Sequence, residues 1–315
     1  NMSRKVGLCL VLLLVFSAIL TAQQLTIKGD PVALSAPGEY FMAPQWSPDG
    51  SQLAVGGGNY RGIYLISFPS AKMSVLTEET GAGFRLAWSP NGDAIAARVS
   101  SYENNTKRSQ LVLLYLDGTR QALSEAQQSF RGVPVWSRSG EFVYLNSSKL
   151  FQPYMLSVER ATSLAGELPY LKNFEIYLRD LATGTESKAV NTEEKVLYLE
   201  ISPTETQYVY STASENLYVA DLDGTNNRNL GRCSSPSWSP DGSWIACMVT
   251  EDDGHVITQS DIHLYQAQTG VINVLTNTPD IHELHPAWSP DGNWIAYENE
   301  VDGRIWAVEI EGGER

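Results

Sequence analysis

An all-β, six-bladed β-propeller of four-stranded antiparallel blades is the fold this sequence predicts. Three observations predict it. A turn motif built on Trp-Ser-Pro-Asp-Gly recurs along the chain. Each copy is followed by short apolar runs of strand length. The strand missing from the last copy has its counterpart at the other end of the chain.

The motif stands at Trp46 to Gly50, Trp88 to Gly92, Trp136 to Gly140, Trp238 to Gly242 and Trp288 to Gly292, with a degraded copy at Ile201 to Glu205. Consecutive copies lie 37 to 65 residues apart, the interval of a blade-forming repeat. Within each copy Pro presets φ, Asp or Asn bonds its own backbone, and Gly accepts the positive φ that closes a tight turn. The first strand of each blade ends at the Trp. The second follows the turn, as in Leu53–Val55 or Trp294–Tyr297. The third includes Ile63–Ile66, Leu111–Leu114, Ile176–Leu178 and Ile262–Tyr265. These runs are apolar on both sides of the pleat, as strands covered on both faces are.

A fourth strand ends near Leu76, Leu123, Val190, Leu230 and Leu275. The sixth copy has none. Leu34 precedes Trp46 at the same offset with no blade before it. Pro31–Ser35 is therefore expected to add to the last repeat and clasp the ring shut, which removes an open sheet edge. One Trp per blade at a fixed place is expected to pack between blades.

Composition sets limits on function. The chain is 43% hydrophobic and 18% charged, in the globular range, with a net charge of −14. Such a surface repels phosphate backbones, so no nucleic-acid partner is expected. Arg4 and Lys5 precede an apolar run from Val6 to Phe16 that continues to Ala22. Residues 1–22 thus read as a secretory signal, leaving 23–315 as one propeller domain in the periplasm or outside the cell. The alternative is an uncleaved anchor, and membrane contact is expected only through that or through partners.

Repeats of this pattern, with Ile-Ala, Ile-Tyr and Leu-Thr strands after the turn, resemble the propeller repeat of the C-terminal domain of TolB. The likeness covers about residues 31–315 and does not extend to the α/β domain that precedes the TolB propeller. It implies an envelope protein or peptide as partner and allows a cation such as Ca2+ in the central channel. No other cofactor is expected. No Gly-x-Ser-x-Gly nucleophile elbow occurs, so the peptidases that carry similar propellers are a poor match in activity.

Binding is expected on the face with the longer connections, Ser100–Ser109, the insertion 146–173 and Thr250–Ser260. In the insertion, Pro153–Leu156 and Leu164–Leu171 read as a short helix or lid, or as a plain surface excursion. Residues entering each first strand are candidates for the channel mouth: Tyr40, Phe41, Phe84, Arg85, Phe130, Arg131, Lys195, Arg232, His282, Glu283 and His285. Arg85, Arg131, Lys195 and Arg232 would form a basic collar for carboxylates, unless they pair with acids such as Glu194 and Glu283. His282, Glu283 and His285 share one strand, so neighbours point to opposite faces and no metal centre is expected from them. Glu251–Gly254 reads as a solvated hairpin tip. Cys233 and Cys247 flank one motif turn and either face each other as a disulfide or remain two buried thiols.

Two functions follow. One is a non-enzymatic binding propeller. The other is an enzyme acting on a polysaccharide or other anionic polymer at the channel mouth, with no catalytic residue singled out.

Overall fold

The computed structural model describes residues 24–128, 130, 132–137, 139–146, 153–155 and 166–312. The secretory signal expected over residues 1–22, Arg131, and most of the 146–173 insertion lie outside them. Among the described residues no helix is long and apolar enough to cross a membrane.

The structure is an all-β propeller of antiparallel blades, and each motif copy opens one of six blades. Blade one is Phe41–Trp46, Gln52–Gly57, Arg61–Ser67 and Lys72–Thr80, paired in that order. Blades two, four and five repeat this four-stranded order. Blade six takes its fourth strand from the start of the chain: Thr26–Ala33 pairs antiparallel with Ile305–Glu311. The clasp is longer than the Pro31–Ser35 segment expected. It continues through Leu34 N–H, which donates to Ile305 O at 2.8 Å.

The third repeat differs from its expected outline. Its described strands are Val133–Trp136, Phe142–Asn146 and Pro153–Met155. The runs read as its third and fourth strands belong instead to a separate sheet, Glu167–Lys172, Glu175–Asp180 and Glu186–Lys188. Among the described residues the sheets therefore number seven, six with the motif and one without. Described parts of the expected helix or lid are strand. Tyr170 and Leu171 explain why: both are buried, one against Phe142 and Tyr144 of blade three, the other against blade four. Neighbouring residues that bury on opposite faces call for a strand between two sheets, not a surface helix.

The core is distributed between sheets. One cluster joins blades one and two through Ile63, Ile95 and Val112, and another joins blades five and six through Ile262, Trp288 and Ile295. The motif turn is cross-braced. Ser47 Oγ donates to Asp49 Oδ1 at 2.6 Å and accepts from Gln52 N–H at 3.0 Å. These hydroxyl and backbone donors, Ser47 first, hold the Asp49 carboxyl below the ordinary aspartate range. Gly50, at φ 71°, has its α-carbon turned so that an added Cβ would touch Pro290 of the neighbouring blade at 3.6 Å.

In blades one, two and three the motif Trp ties its blade to the one before it. Trp46 Nε1 donates to Ala287 O, Trp88 Nε1 to Gln45 O and Trp136 Nε1 to Ala87 O, at 3.0, 3.1 and 3.0 Å. In each case the acceptor is the residue just before the preceding motif Trp. Cys233 and Cys247 are joined in a disulfide, with Cα atoms 5.9 Å apart, inside the core between blades four and five. Closing that short loop contributes roughly 3 kcal/mol in the chain-entropy description.

Two of the connections expected to be loops are hairpin extensions. Ala94–Glu103 and Thr106–Tyr115 pair down to Glu103↔Thr106. Asn104 and Asn105 both take positive φ, the conformation of a two-residue hairpin turn. Trp244–Asp252 and Ile257–Gln266 pair to Asp252↔Ile257. At that tip the Asp252 and Asp253 carboxylates accept from Gly254, His255 and Val256 N–H, as a solvated turn would.

Candidate functional site

The first strands converge on a central channel. Three adjoining cavities of 360, 280 and 380 Å³ open along it. Arg85 and Tyr198 line all three.

The chain presents these side chains by a repeated local distortion. Counting back from each motif Trp, the residue at position −3 is Ala43, Arg85, Ser235 and His285 in blades one, two, five and six. All four have positive φ, between 48° and 50°. Register breaks at Met42/Gln45, Ser234/Ser237 and Leu284/Ala287 mark β-bulges in blades one, five and six. A bulge re-aims one side chain and sharpens the twist. Proline stands at −2 in blades one, five and six, where a broken ladder needs no N–H donor, and at the same place in blade three, where the strand is an edge of its sheet and the register is unbroken. All four −3 residues line the 380 Å³ cavity, together with Gln45, Glu200 and Ser237 at −1.

A charged and aromatic cluster results. The Arg85 guanidinium carbon lies 4.7 Å from the centre of the Tyr198 ring. The Tyr198 hydroxyl donates to Glu200, two residues along the same strand and so on the same face. Glu200 keeps partial access to the channel, yet protein atoms crowd it. Burial pushes its carboxyl up to about 7, against the opposing pull of the Tyr198 hydroxyl and the Arg85 charge. Burial also raises the Tyr198 phenol well above its usual value. Phe84 packs edge-on to Tyr60 at 5.0 Å and carries the Arg98 guanidinium 5.2 Å from its ring centre. Trp88 and Trp136 complete the apolar wall.

Of the candidates named from sequence, Phe84, Arg85 and His285 meet at the channel. His285 Nδ1 lies 2.9 Å from Glu298 Oε2, and that buried carboxylate also accepts from Ala43 N–H at 3.1 Å. The others stay apart. Lys195 stacks over Phe174 at 5.5 Å. Arg232 pairs with Glu215 at 2.5 Å, an acid not foreseen as its partner. Phe130 packs in the core between blades two and three. Tyr40 is exposed, its hydroxyl 3.4 Å from Glu300 O, and Phe41 is buried. His282 meets Glu300 at 3.2 Å. Glu283 is buried on Thr278 at 2.5 Å, and burial raises its carboxyl to about 7. The collar of four cations is not assembled: among its described members only Arg85 faces the channel.

The reason is positional. Lys195, Arg232, Tyr40, Phe130 and His282 all stand six residues before the end of a first strand, at the rim. The channel is lined from −1 to −4. Tyr198, Glu200, Gln45 and Ser235 were missed for the same reason, and counting back one and three residues from the first position of the motif is the signal that finds them. Among the described residues no three His, Cys, Asp or Glu side chains gather to hold a metal ion.

No family model matches the sequence, and no curated protein matches it. Solved structures do. One, assigned as TolB from Agrobacterium tumefaciens, superposes with TM-score 0.56 at 16% identity, over 93% of this chain and 99% of that one. Another, TolB from Acinetobacter baumannii, gives TM-score 0.47 at 18% identity, over 91% of this chain and 66% of that one. Identities this low speak to fold, and on the first of these superpositions the fold is that of a TolB-like β-propeller.

Proposed function

We propose that this chain is an exported, periplasmic binding propeller, without catalytic activity of its own, that recognises a segment of an envelope protein or peptide at its central channel. The observation that carries this reading is Arg85. It lines all three cavities, its backbone is held at φ 48°, and among the described residues its guanidinium has no hydrogen-bond or ion-pair partner. The same conformation recurs at Ala43, Ser235 and His285, at a cost on the order of 1–3 kcal/mol each, so four blades aim a first-strand residue into the channel. The aromatic surround of Phe84, Tyr60, Trp88 and Trp136 suits an amphipathic chain segment. The apolar run at residues 6–22 and the TolB-like fold support an envelope location.

Affinity capture from envelope extract tests the reading. Wild-type protein should retain a discrete partner, and Arg85→Glu should lose it while keeping its thermal midpoint. An empty wild-type column, or a partner indifferent to Arg85→Glu, would overturn it.

A further inference from the structure

Two of the channel's cavities are lined both by a guanidinium that has no hydrogen-bond or ion-pair partner among the described residues, Arg85, and by a carboxyl, Glu200, and the two bear on any anion that enters. Arg85 reaches in from blade two and lies over Tyr198, which hydrogen-bonds Glu200 on the strand Val196–Ile201 of blade four. An arginine fork is shaped for a carboxylate and binds it through two parallel N–H donors. An ionised Glu200 would compete for that fork and repel the newcomer, whereas a neutral Glu200 would do neither.

We propose that the channel is a proton-gated carboxylate site, in which Arg85 takes the ligand's carboxylate and Glu200 admits it only in its protonated form. The proposal rests on the binding reading of the channel given above and names the ligand chemistry. Glu200 sits in a pocket where burial already disfavours its charge, so the gate operates near neutral pH. The other charged and titratable groups on the three cavities are Glu205, Arg98, His285, Tyr60 and Tyr144. Glu298 stands behind His285. A histidine that gains a proton as pH falls would also favour an anion, so Glu200 must be separated from it by substitution.

The sign follows from proton bookkeeping. A ligand that binds best beside neutral Glu200 takes up a proton as it binds above the carboxyl's midpoint. Its affinity is then full at low pH and falls as pH rises through about 7.

Two probes distinguish the source of the carboxylate: succinate, and a short peptide with acidic side chains and an amidated C-terminus. Binding is measured by calorimetry and by the fluorescence of Trp88 and Trp136, which face the channel. At least one probe should bind wild-type protein, with affinity falling about tenfold between pH 6 and pH 8. Binding of succinate alone would assign a small free carboxylate, and binding of the peptide a protein segment. Arg85→Gln should abolish binding at every pH with an unchanged thermal midpoint. Glu200→Gln should flatten the pH dependence and keep high affinity at pH 8.

Failure of both probes at pH 6, or a Glu200→Gln protein with the wild-type pH slope, would overturn the proposal. Its failure is separable from that of the binding reading. Probe binding by a protein that captures no envelope partner would sink the partner and leave the site. A partner that wild-type protein captures and Arg85→Glu loses, in a protein that binds neither probe at pH 6, would sink the carboxylate site and leave the binding reading.

Discussion

Deleting residues 24–35 is expected to lower the thermal midpoint by about 10 °C or more. The segment supplies the whole outer strand of blade six. It buries Leu25 and Leu34, each worth about 1.5–3 kcal/mol relative to exposure. It also carries the ladder to Ile305–Glu311, a hydrogen bond from Asn273 Nδ2 to Leu25 O, and one from Ile305 N–H to Ser35 Oγ at 3.0 Å. Each such bond contributes about 1 kcal/mol net. The sum is on the order of 5 kcal/mol or more, a large fraction of the 5–15 kcal/mol that holds a typical domain. At a few degrees per kcal/mol for a chain of this size, that is the stated shift. The shortened protein would also expose Ile305–Glu311 as an unpaired edge and should self-associate. Differential scanning calorimetry with light scattering reads both effects. A truncated protein that melts with the intact one would show that the clasp carries no load.

Trp46→Ala should cost about 3–5 kcal/mol in urea unfolding. Trp46 sits at the seam where the first blade meets the last. Its ring packs edge-on to Phe68 at 5.0 Å, Phe68 packs in turn on Trp294 of blade six at 5.1 Å, and its Nε1 satisfies Ala287 O. Alanine leaves a cavity and a buried carbonyl without its donor, and the two penalties add. Trp238 provides the control. It is also buried, but among the described residues its Nε1 has no acceptor. Phenylalanine should therefore be tolerated better at Trp238 than at Trp46. Equal costs at the two positions would show that the inter-blade hydrogen bond contributes nothing.

Much of this architecture was legible because the motif encodes it. Trp, Ser, Pro, Asp and Gly each have a fixed physical task in the turn, and their recurrence located six first strands and the Leu34 clasp. The sheet at 167–188 was hidden for the converse reason: it has no Trp-Ser-Pro turn, so its strands were read as the continuation of the third repeat. Pairing partners are long-range information, and Ile176–Leu178 carries no local mark of whether it joins Phe142–Asn146 or Glu167–Lys172.

The site was legible in kind and misplaced in detail. An arginine at the channel was foreseen in Arg85, and His285 with it. Lys195 and Arg232 were grouped with Arg85 because all precede a first strand, but a shift of three residues moves a side chain from rim to channel. The bulges at Ala43, Ser235 and His285 complicate the count further, since they break the simple alternation by which sequence assigns a face. Glu200 was overlooked because it belongs to the degraded copy, where no Trp fixes the register.

Site-specific photo-crosslinking tests most directly whether the channel is the working surface. A benzophenone side chain is introduced at Tyr60, on the channel, or at Val75, exposed on the outermost strand of blade one. In envelope extract the probe at Tyr60 should yield a discrete adduct and the probe at Val75 none. An adduct from Val75 with none from Tyr60 would place the interaction on the outer rim and contradict the account.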